Sequence, residues 1–235
     1  MAKLPMTGTV NTRDVGGIDA ADGRAVRTGR LIRTETPELF TAADVDYAVE
    51  TVGVTLVVDL RGAAQSPDGS GALGRRVRRE VLDFFGPDVP RGDAAAPERM
   101  LAGQLDRAGG KLVTFLELLV ANTAGATLVH CLTGKDRTGF IVGMTLRVAG
   151  VAAEEVLADY LLSGPVHHEM LDRLRAVGKW HENAPSFARE AVSGRGMQAM
   201  LETLDARWHS PDDYLAEHGA DPTLGDRVRG HLLAG

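Results

Sequence analysis

Apolar positions along the chain recur with two periods, and the points where one gives way to the other mark its elements. Val54 to Leu60 is a nearly unbroken apolar run after Gly53, and Thr127 to Val129 is a shorter β-branched and apolar run. Runs of this length fit strands buried on both faces, as in the middle of a parallel sheet. Gly29 to Thr34 and Val77 to Phe84 read as further strands. Helical spacing takes over from Thr41 to Val52, where Val45, Val49 and Val52 form a stripe behind an N-capping Thr41 with Asp44 as its box partner. It returns from Glu98 to Ala121, whose second half sets Leu112, Phe115, Leu116 and Leu119 on one face. Further helices run from Arg137 or Thr138 to Gly150 and from Ala153 to Leu162. Ser210 and Pro211 make an N-cap and first-turn pair for a helix through His218, and a last helix runs from Pro222 towards Leu233.

Between these elements lie turn signals. Gly16-Gly17 and Asp22-Gly23 predict a small N-terminal hairpin. Residues 61–76 and 86–97 read as loops, the second carrying Asp88 and Asp93. Gly164-Pro165 breaks the chain before an amphipathic, charge-rich stretch, Val166 to Ser193, with Trp180 and His181 at a break between helices. The pattern there fits either a lid within 164–195 or ordinary packing helices. Strands alternating with helices predict an α/β fold: a central, mostly parallel sheet flanked by helices, with extra helices at the C-terminal end. No internal repeat or low-complexity linker interrupts it, so one domain over 1–235 is expected.

The chain has 235 residues, 44% of them hydrophobic, enough to bury a full core. A net charge of −6 argues against nonspecific nucleic-acid binding, which wants a basic surface. A single cysteine, Cys131, excludes an intramolecular disulfide and a Cys-based zinc site, and no cofactor or metal is implied. The start, MAKLPMTGTVNTRD, has no apolar core of a signal peptide, and no stretch approaches the ~18 apolar residues of a membrane span. A cytoplasmic protein without a transmembrane segment, monomeric by default, is the expectation.

Cys131 changes this picture. It follows the Thr127 to Val129 strand and His130, and five residues separate it from Arg137, Gly134 among them. A strand-to-helix turn of this length curls so that successive backbone N–H groups point at one anion. Arg137, in the first helical turn, closes over that anion with a bidentate fork. Cys131 sits at the bottom, where the helix N-terminus and the guanidinium favour its thiolate. A nucleotide-binding loop does not fit, because Gly134-Lys135 is followed by Asp136 rather than Ser or Thr and Val129 stands where the first glycine should be.

HCLTGKDRTG, His130 to Gly139, resembles the bacterial tyrosine-phosphatase-like family best known from the mycobacterial protein tyrosine phosphatase B group. NTRDVGGIDAADGRAVRTGRLIRT, Asn11 to Thr34, is similar to that family's N-terminal signature. VVDLR (Val57 to Arg61), ADYLLS (Ala158 to Ser163) and SPDDYLAEHG (Ser210 to Gly219) agree in the same order. The resemblance implies a cysteine-phosphatase fold and activity, with phosphorylated protein and, through Lys135, phosphoinositide substrates. It implies that Asn11, Arg13 and Asp14 brace the pocket, against plain turn chemistry as the simpler reading. Some members of the family are exported without a recognisable signal, which leaves the location open.

The chemistry expected is attack of the Cys131 thiolate on a phosphate monoester, then hydrolysis of the thiophosphoryl group. Leu132, Thr133, Gly134, Lys135 and Thr138, with Arg137, form the phosphate-binding set. Thr138 can also bond the sulfur, and His130 holds the loop rather than acting as a base. Asp59, at the carboxyl end of its strand, is expected either to orient Arg137 or to cap the following loop. The general acid lies either on the upstream loop, at Asp88 or Asp93, or at Asp136, to which the resemblance points. Arg75, Arg76, Arg78 and Arg79 read as charges guarding an edge strand, or as a landing strip for a polyanion. Two other classes share the scaffold: a silent phosphate-binding module and a sulfur-transfer or redox thiol enzyme.

Overall fold

The computed structural model describes residues 2–62, 65–66, 69–84, 97–180 and 193–235. Six strands among them form one sheet: β1 (Ala2–Lys3), β2 (Arg13–Asp14), β3 (Leu31–Thr34), β4 (Val54–Asp59), β5 (Arg78–Val81) and β6 (Ala126–His130), in the order β1-β2-β3-β6-β4-β5. β1, β2 and β3 pair antiparallel, whereas β3, β6, β4 and β5 run parallel.

The apolar runs are strands buried on both faces. Leu31, Val58 and Val129 point into the larger core, with Leu112, Phe115 and Phe140. Ile32, Val57 and Leu128 point into a second core with Val45 and Ala48. Alternation is present in the backbone but invisible in the sequence, because both sides of the pleat are covered. An irregularity in the β4–β6 register between Val54 and Leu56 lets these two residues, two apart, enter opposite cores.

The helices are α1 (Ala42–Asp46), α2 (Pro97–Ala102), α3 (Gln104–Arg107), α4 (Gly109–Ala121), α5 (Asp136–Val148), α6 (Ala153–Leu161), α7 (His167–Ala176), α8 (Arg195–Arg207), α9 (Pro211–Glu217) and α10 (Leu224–Leu232). Thr41 and Asp44 close the expected capping box, but α1 passes into a π-helical turn at Tyr47–Thr51. The stretch expected as one helix from Glu98 to Ala121 is three pieces. At the last break Gly109 admits the ring of His218, which would lie 1.9 Å from a Cβ placed there. The expected hairpin turns at Asp22-Gly23, with Asp19 bridging Ala25.

β5 is shorter than expected and is the sheet's exposed edge. Arg76 pairs with Asp46 and Glu50, Arg78 with Glu80, and Arg79 with Asp59, so these charges are neutralised along the edge rather than offered to a polyanion. No described helix is long and apolar enough to cross a membrane. In register, Thr34, His130 and Asp59 end their parallel strands side by side, and the site forms beyond them.

Candidate active site

The chain from Cys131 to Lys135 leaves β6 and enters α5 as a tight turn whose carbonyl groups are each held from outside. Nδ1 of His130 lies 2.9 Å from the Cys131 carbonyl. The Thr36 N–H donates to the Leu132 carbonyl at 2.9 Å, and Asn11 Nδ2 to that of Thr133 at 3.1 Å. Arg33 Nη2 donates to the Gly134 carbonyl at 2.8 Å, and the Gly139 N–H to that of Lys135 at 2.7 Å. A trans peptide unit is planar, with its C=O and N–H opposed, and no described peptide bond is cis. Holding five successive carbonyls outward therefore turns the N–H groups of residues 132–136 toward the concave side. Gly134 makes the curl: its φ is +66°, and a Cβ there would lie 2.4 Å from the Thr34 carbonyl oxygen.

The outside donors belong to one buried network. Asp159, on the inner face of α6, pairs with Arg13 Nε at 2.8 Å and with Arg33 Nη1. Arg13 donates to Asn11 Oδ1 at 2.6 Å, which also accepts from Ser163 Oγ at 3.0 Å. Burial, reinforced by Arg33, lowers Arg13 to about 10, so it remains a cation at neutral pH. Burial alone would raise the Asp159 carboxyl, but Arg33 and Arg13 hold it below the usual carboxylate range. Glu35 accepts the N–H groups of Val10 and Asn11, fixing the segment before β2 that carries Asn11. Asn11 and Arg13 thus brace the loop, whereas Asp14 does not. Its carboxylate accepts the Gly16 and Gly29 N–H groups and belongs to the hairpin's turn chemistry.

Cys131 is buried at the base of this turn. Burial pushes its thiol up, and the charge of Arg137 with the hydroxyl and N–H of Thr138 outweighs that push, so the net displacement is downward. The Thr138 hydroxyl is fully enclosed and has no hydrogen-bond partner of ordinary geometry. Arg137 stands half-buried at the rim, donating to Gln65 Oε1 at 2.9 Å and to the Leu60 carbonyl at 3.3 Å.

Asp136, in the first turn of α5, accepts from the Tyr160 hydroxyl at 3.1 Å, and its other oxygen lies 3.7 Å from Lys135 Nζ. Burial, then the Asp136 charge, raises Tyr160 well above an ordinary phenol, so it is a permanent donor. Lys135 is buried beside Asp136 instead of standing free at the rim. Leu132 packs with Met170, Leu171 and Leu174 of α7, with Val10 and with Trp180, so part of the 164–195 segment lies across the loop.

Of the two readings of Asp59, the hydrogen bonds fall on the cap of the following loop: it accepts the Arg61 N–H at 3.0 Å, and no hydrogen bond joins it to Arg137. It binds Arg61 Nε at 2.9 Å, Ser66 Oγ at 2.6 Å and Arg79 Nη2 at 3.2 Å, because Arg61 and Arg79 are nearer cations. Burial would raise its carboxyl, and the surrounding groups, His130 and Arg61 first, hold it below the usual range. His130 is itself pushed down to about 4 by burial, against the pull of Asp59, and is neutral near pH 7, which leaves the guanidiniums to carry that effect. Asp88, Asp93 and His181 lie outside the described residues. No cluster of His, Cys, Asp or Glu suited to a metal ion occurs among the described residues.

Comparison with known proteins agrees with this architecture: the tyrosine phosphatase family matches residues 4–234. The chain belongs to that family. It is 35% identical to a candidate tyrosine-protein phosphatase of Cupriavidus necator, over 96% of this chain and 86% of that one. It is 27% identical to the triple specificity protein phosphatase PtpB of Mycobacterium tuberculosis, over 99% of this chain and 100% of that protein. A tyrosine-protein phosphatase of Nostoc commune is 31% identical over 61% of this chain and 51% of its own length.

Sequence reasoning missed Arg33, Thr36, Asp159, Tyr160 and Ser163. A signal for four of them was present. Val156, Asp159, Tyr160 and Ser163 fall at i, i+3, i+4 and i+7, the buried stripe of α6 and its end, so the two polar residues are core positions. Arg33 is a cation inside a four-residue strand buried throughout. Thr36 acts through its backbone and leaves no trace in side-chain pattern.

Proposed function

We propose that the phosphatase hydrolyses phosphate monoesters through a thiophosphoryl intermediate on Cys131. The Cys131 thiolate attacks phosphorus, and the bond from phosphorus to the ester oxygen breaks. Asp136 gives its proton to the departing oxygen. Water then attacks phosphorus, Asp136 takes a proton from it, and the P–S bond breaks to return the thiolate and release inorganic phosphate. The N–H groups of residues 132–136 and the Arg137 fork hold the equatorial oxygens, and these bonds strengthen as charge spreads in the transition state.

The observation that carries this reading is the row of outward-held carbonyls around a thiol displaced toward thiolate. Phosphotyrosine is the first substrate class, with phosphoserine, phosphothreonine and phosphoinositides beside it; a breadth beyond one class is supported by the mycobacterial relative, a triple specificity protein phosphatase. Residues 1–235 act as one domain, and α7 with Trp180, the described part of the 164–195 stretch, shields the loop, a role supported by the packing of α7 on Leu132.

Turnover of phosphotyrosine, phosphoserine and phosphoinositide substrates by the wild type and Cys131→Ser tests this. The variant should lose turnover and still bind inorganic phosphate. Appreciable hydrolysis by Cys131→Ser, or a wild type that binds phosphate and turns over none of the panel, would refute the mechanism.

A further inference from the structure

Ser70 sits in a turn that no family motif named above includes, and its backbone is unusual. Gly69, Ser70 and Gly71 have φ of 62°, 65° and 63°, and Ser70 is the one described residue other than glycine with positive φ. A serine side chain there costs conformational energy that a third glycine would avoid. The hydroxyl it carries is fully buried, 2.9 Å from His130 Nε2.

The hydrogen bonds fix the direction of each proton. A carbonyl only accepts, so the 2.9 Å contact of His130 Nδ1 with the Cys131 carbonyl puts the ring proton on Nδ1. A neutral ring then presents a lone pair at Nε2, which needs a donor. Asp59 Oδ2, 3.7 Å from Nε2, offers none. The Ser70 hydroxyl does, and its own oxygen accepts from Arg79 Nε at 3.2 Å. The hydroxyl also faces Asp59 Oδ2, an acceptor at 3.2 Å, but the contact with Nε2 is shorter and Asp59 Oδ2 already accepts from Arg61, Arg79 and Ser66, so the one hydroxyl proton goes to the imidazole, which has no other donor.

We propose that Ser70 is a positioning residue for the phosphatase reaction: its hydroxyl locks His130 in the Nδ1–H tautomer, which holds the Cys131 carbonyl outward and the Leu132 N–H inward. The proposal rests on the reading of Cys131 as nucleophile for its consequence, and on geometry alone for the tautomer. Without the hydroxyl, a proton on Nε2 would bond Asp59, and the Cys131 carbonyl would lose its donor. The charged groups around the pair are Asp59, Arg61 and Glu38 about His130, with Arg137 and Asp136 about Cys131.

The test is Ser70→Gly, which removes the hydroxyl while suiting the left-handed backbone, with Ser70→Ala as the variant that keeps the strain. Ring ¹⁵N shifts of His130 should report the Nδ1–H tautomer in the wild type and a loss of that tautomer in both variants. The pH midpoint for alkylation of Cys131 should rise by roughly 0.5–1 unit, the worth of one hydrogen bond. kcat should fall roughly 3–10-fold with little change in KM. An unchanged tautomer and midpoint in a folded Ser70→Gly protein would overturn the proposal. So would changes in Ser70→Ala that Ser70→Gly does not share, since those belong to backbone strain. If Cys131 proves not to be the nucleophile, Cys131→Ser keeps its turnover, while the tautomer and alkylation measurements on the Ser70 variants still decide the role of Ser70.

Discussion

Replacing Asp159 by asparagine separates the network that holds the loop from the loop itself. Asp159 is the carboxylate shared by Arg13 and Arg33, and its side chain is 2% exposed, with Arg13 at 5% and Arg33 at 1%. Asparagine keeps the shape and one acceptor but removes the charge, leaving two guanidiniums in low dielectric. Breaking a buried pair from one side costs about 3–5 kcal/mol, chiefly as the penalty on the stranded charge. At roughly 2–4 °C per kcal/mol for a chain of this size, the melting temperature should fall by about 6–20 °C. The acid limb should change as well. The Asp159 carboxyl is depressed in the fold, so its contribution is present above its unfolded value of about 3.9 and lost as pH falls through the lower folded value. Asp159→Asn should therefore lose less stability on acidification than the wild type does. Phosphate should bind more weakly, because Arg33 and Asn11 hold the Gly134 and Thr133 carbonyls. Thermal melting and denaturant titration at pH 7 and at about pH 2–3, below the unfolded carboxyl value, with phosphate titrations at pH 7, would measure all three. A loss under about 1 kcal/mol with phosphate binding intact would refute the claim that this network holds the loop.

Asp136→Asn should cost roughly 10²–10⁴ in rate on alkyl phosphates and much less on p-nitrophenyl phosphate, whose phenoxide leaves unaided; equal losses on both would remove Asp136 as the acid, and the contrast appearing in Asp88→Asn or Asp93→Asn would move it upstream. The Cys131 thiol should alkylate with a midpoint below the free value of about 8.5, since its displacement is downward, and bound phosphate should slow the reaction. A midpoint at or above that value would contradict the stabilisation by Arg137 and Thr138. Gly134→Ala forces an alanine to φ +66° against the Thr34 carbonyl. It should cost about 2 kcal/mol or more in a melting experiment, and an alanine tolerated without loss would contradict the tight turn.

The sheet and the loop were legible in sequence because both are written in consecutive residues. A continuous apolar run, a cysteine at its end, and glycine and arginine at fixed distances need no tertiary partner to be recognised. The network around Asp159 is different, joining residues 11–13, 33–36 and 159–163 across three elements. Its members obey no local period except on α6, where polar residues occupy the buried stripe. Asp59 shows the limit from the other side. Its place at a strand end left two partners open, Arg137 or the following loop, and the loop's Arg61 with Arg79 took its carboxylate, a competition among cations that the sequence could not decide. The single helix expected from Glu98 to Ala121 failed for a similar reason, since the approach of His218 to Gly109 is decided by a residue a hundred positions away.

The five carbonyl bonds give the loop an order that its own sequence does not require. A turn containing glycine can populate many conformations, and an anion binding to such an ensemble would have to offset the ordering of each peptide unit, roughly 1–2 kcal/mol per residue. Here that ordering is supplied on folding by donors outside the loop: an imidazole, an amide side chain, a guanidinium and two backbone N–H groups. Three are side chains, and each is fixed in turn by a buried partner: Ser70 behind His130, Arg13 and Ser163 behind Asn11, and Asp159 behind Arg33. Binding energy from a phosphate ester is then left for the difference between ground and transition state, where it accelerates the reaction, rather than for organising the site. Truncating the outer partners should therefore slow turnover, and in the case of Asp159 weaken phosphate binding too, although Cys131, Arg137 and the loop's own N–H groups are all still present. A loop held only by its own contacts would be indifferent to those changes.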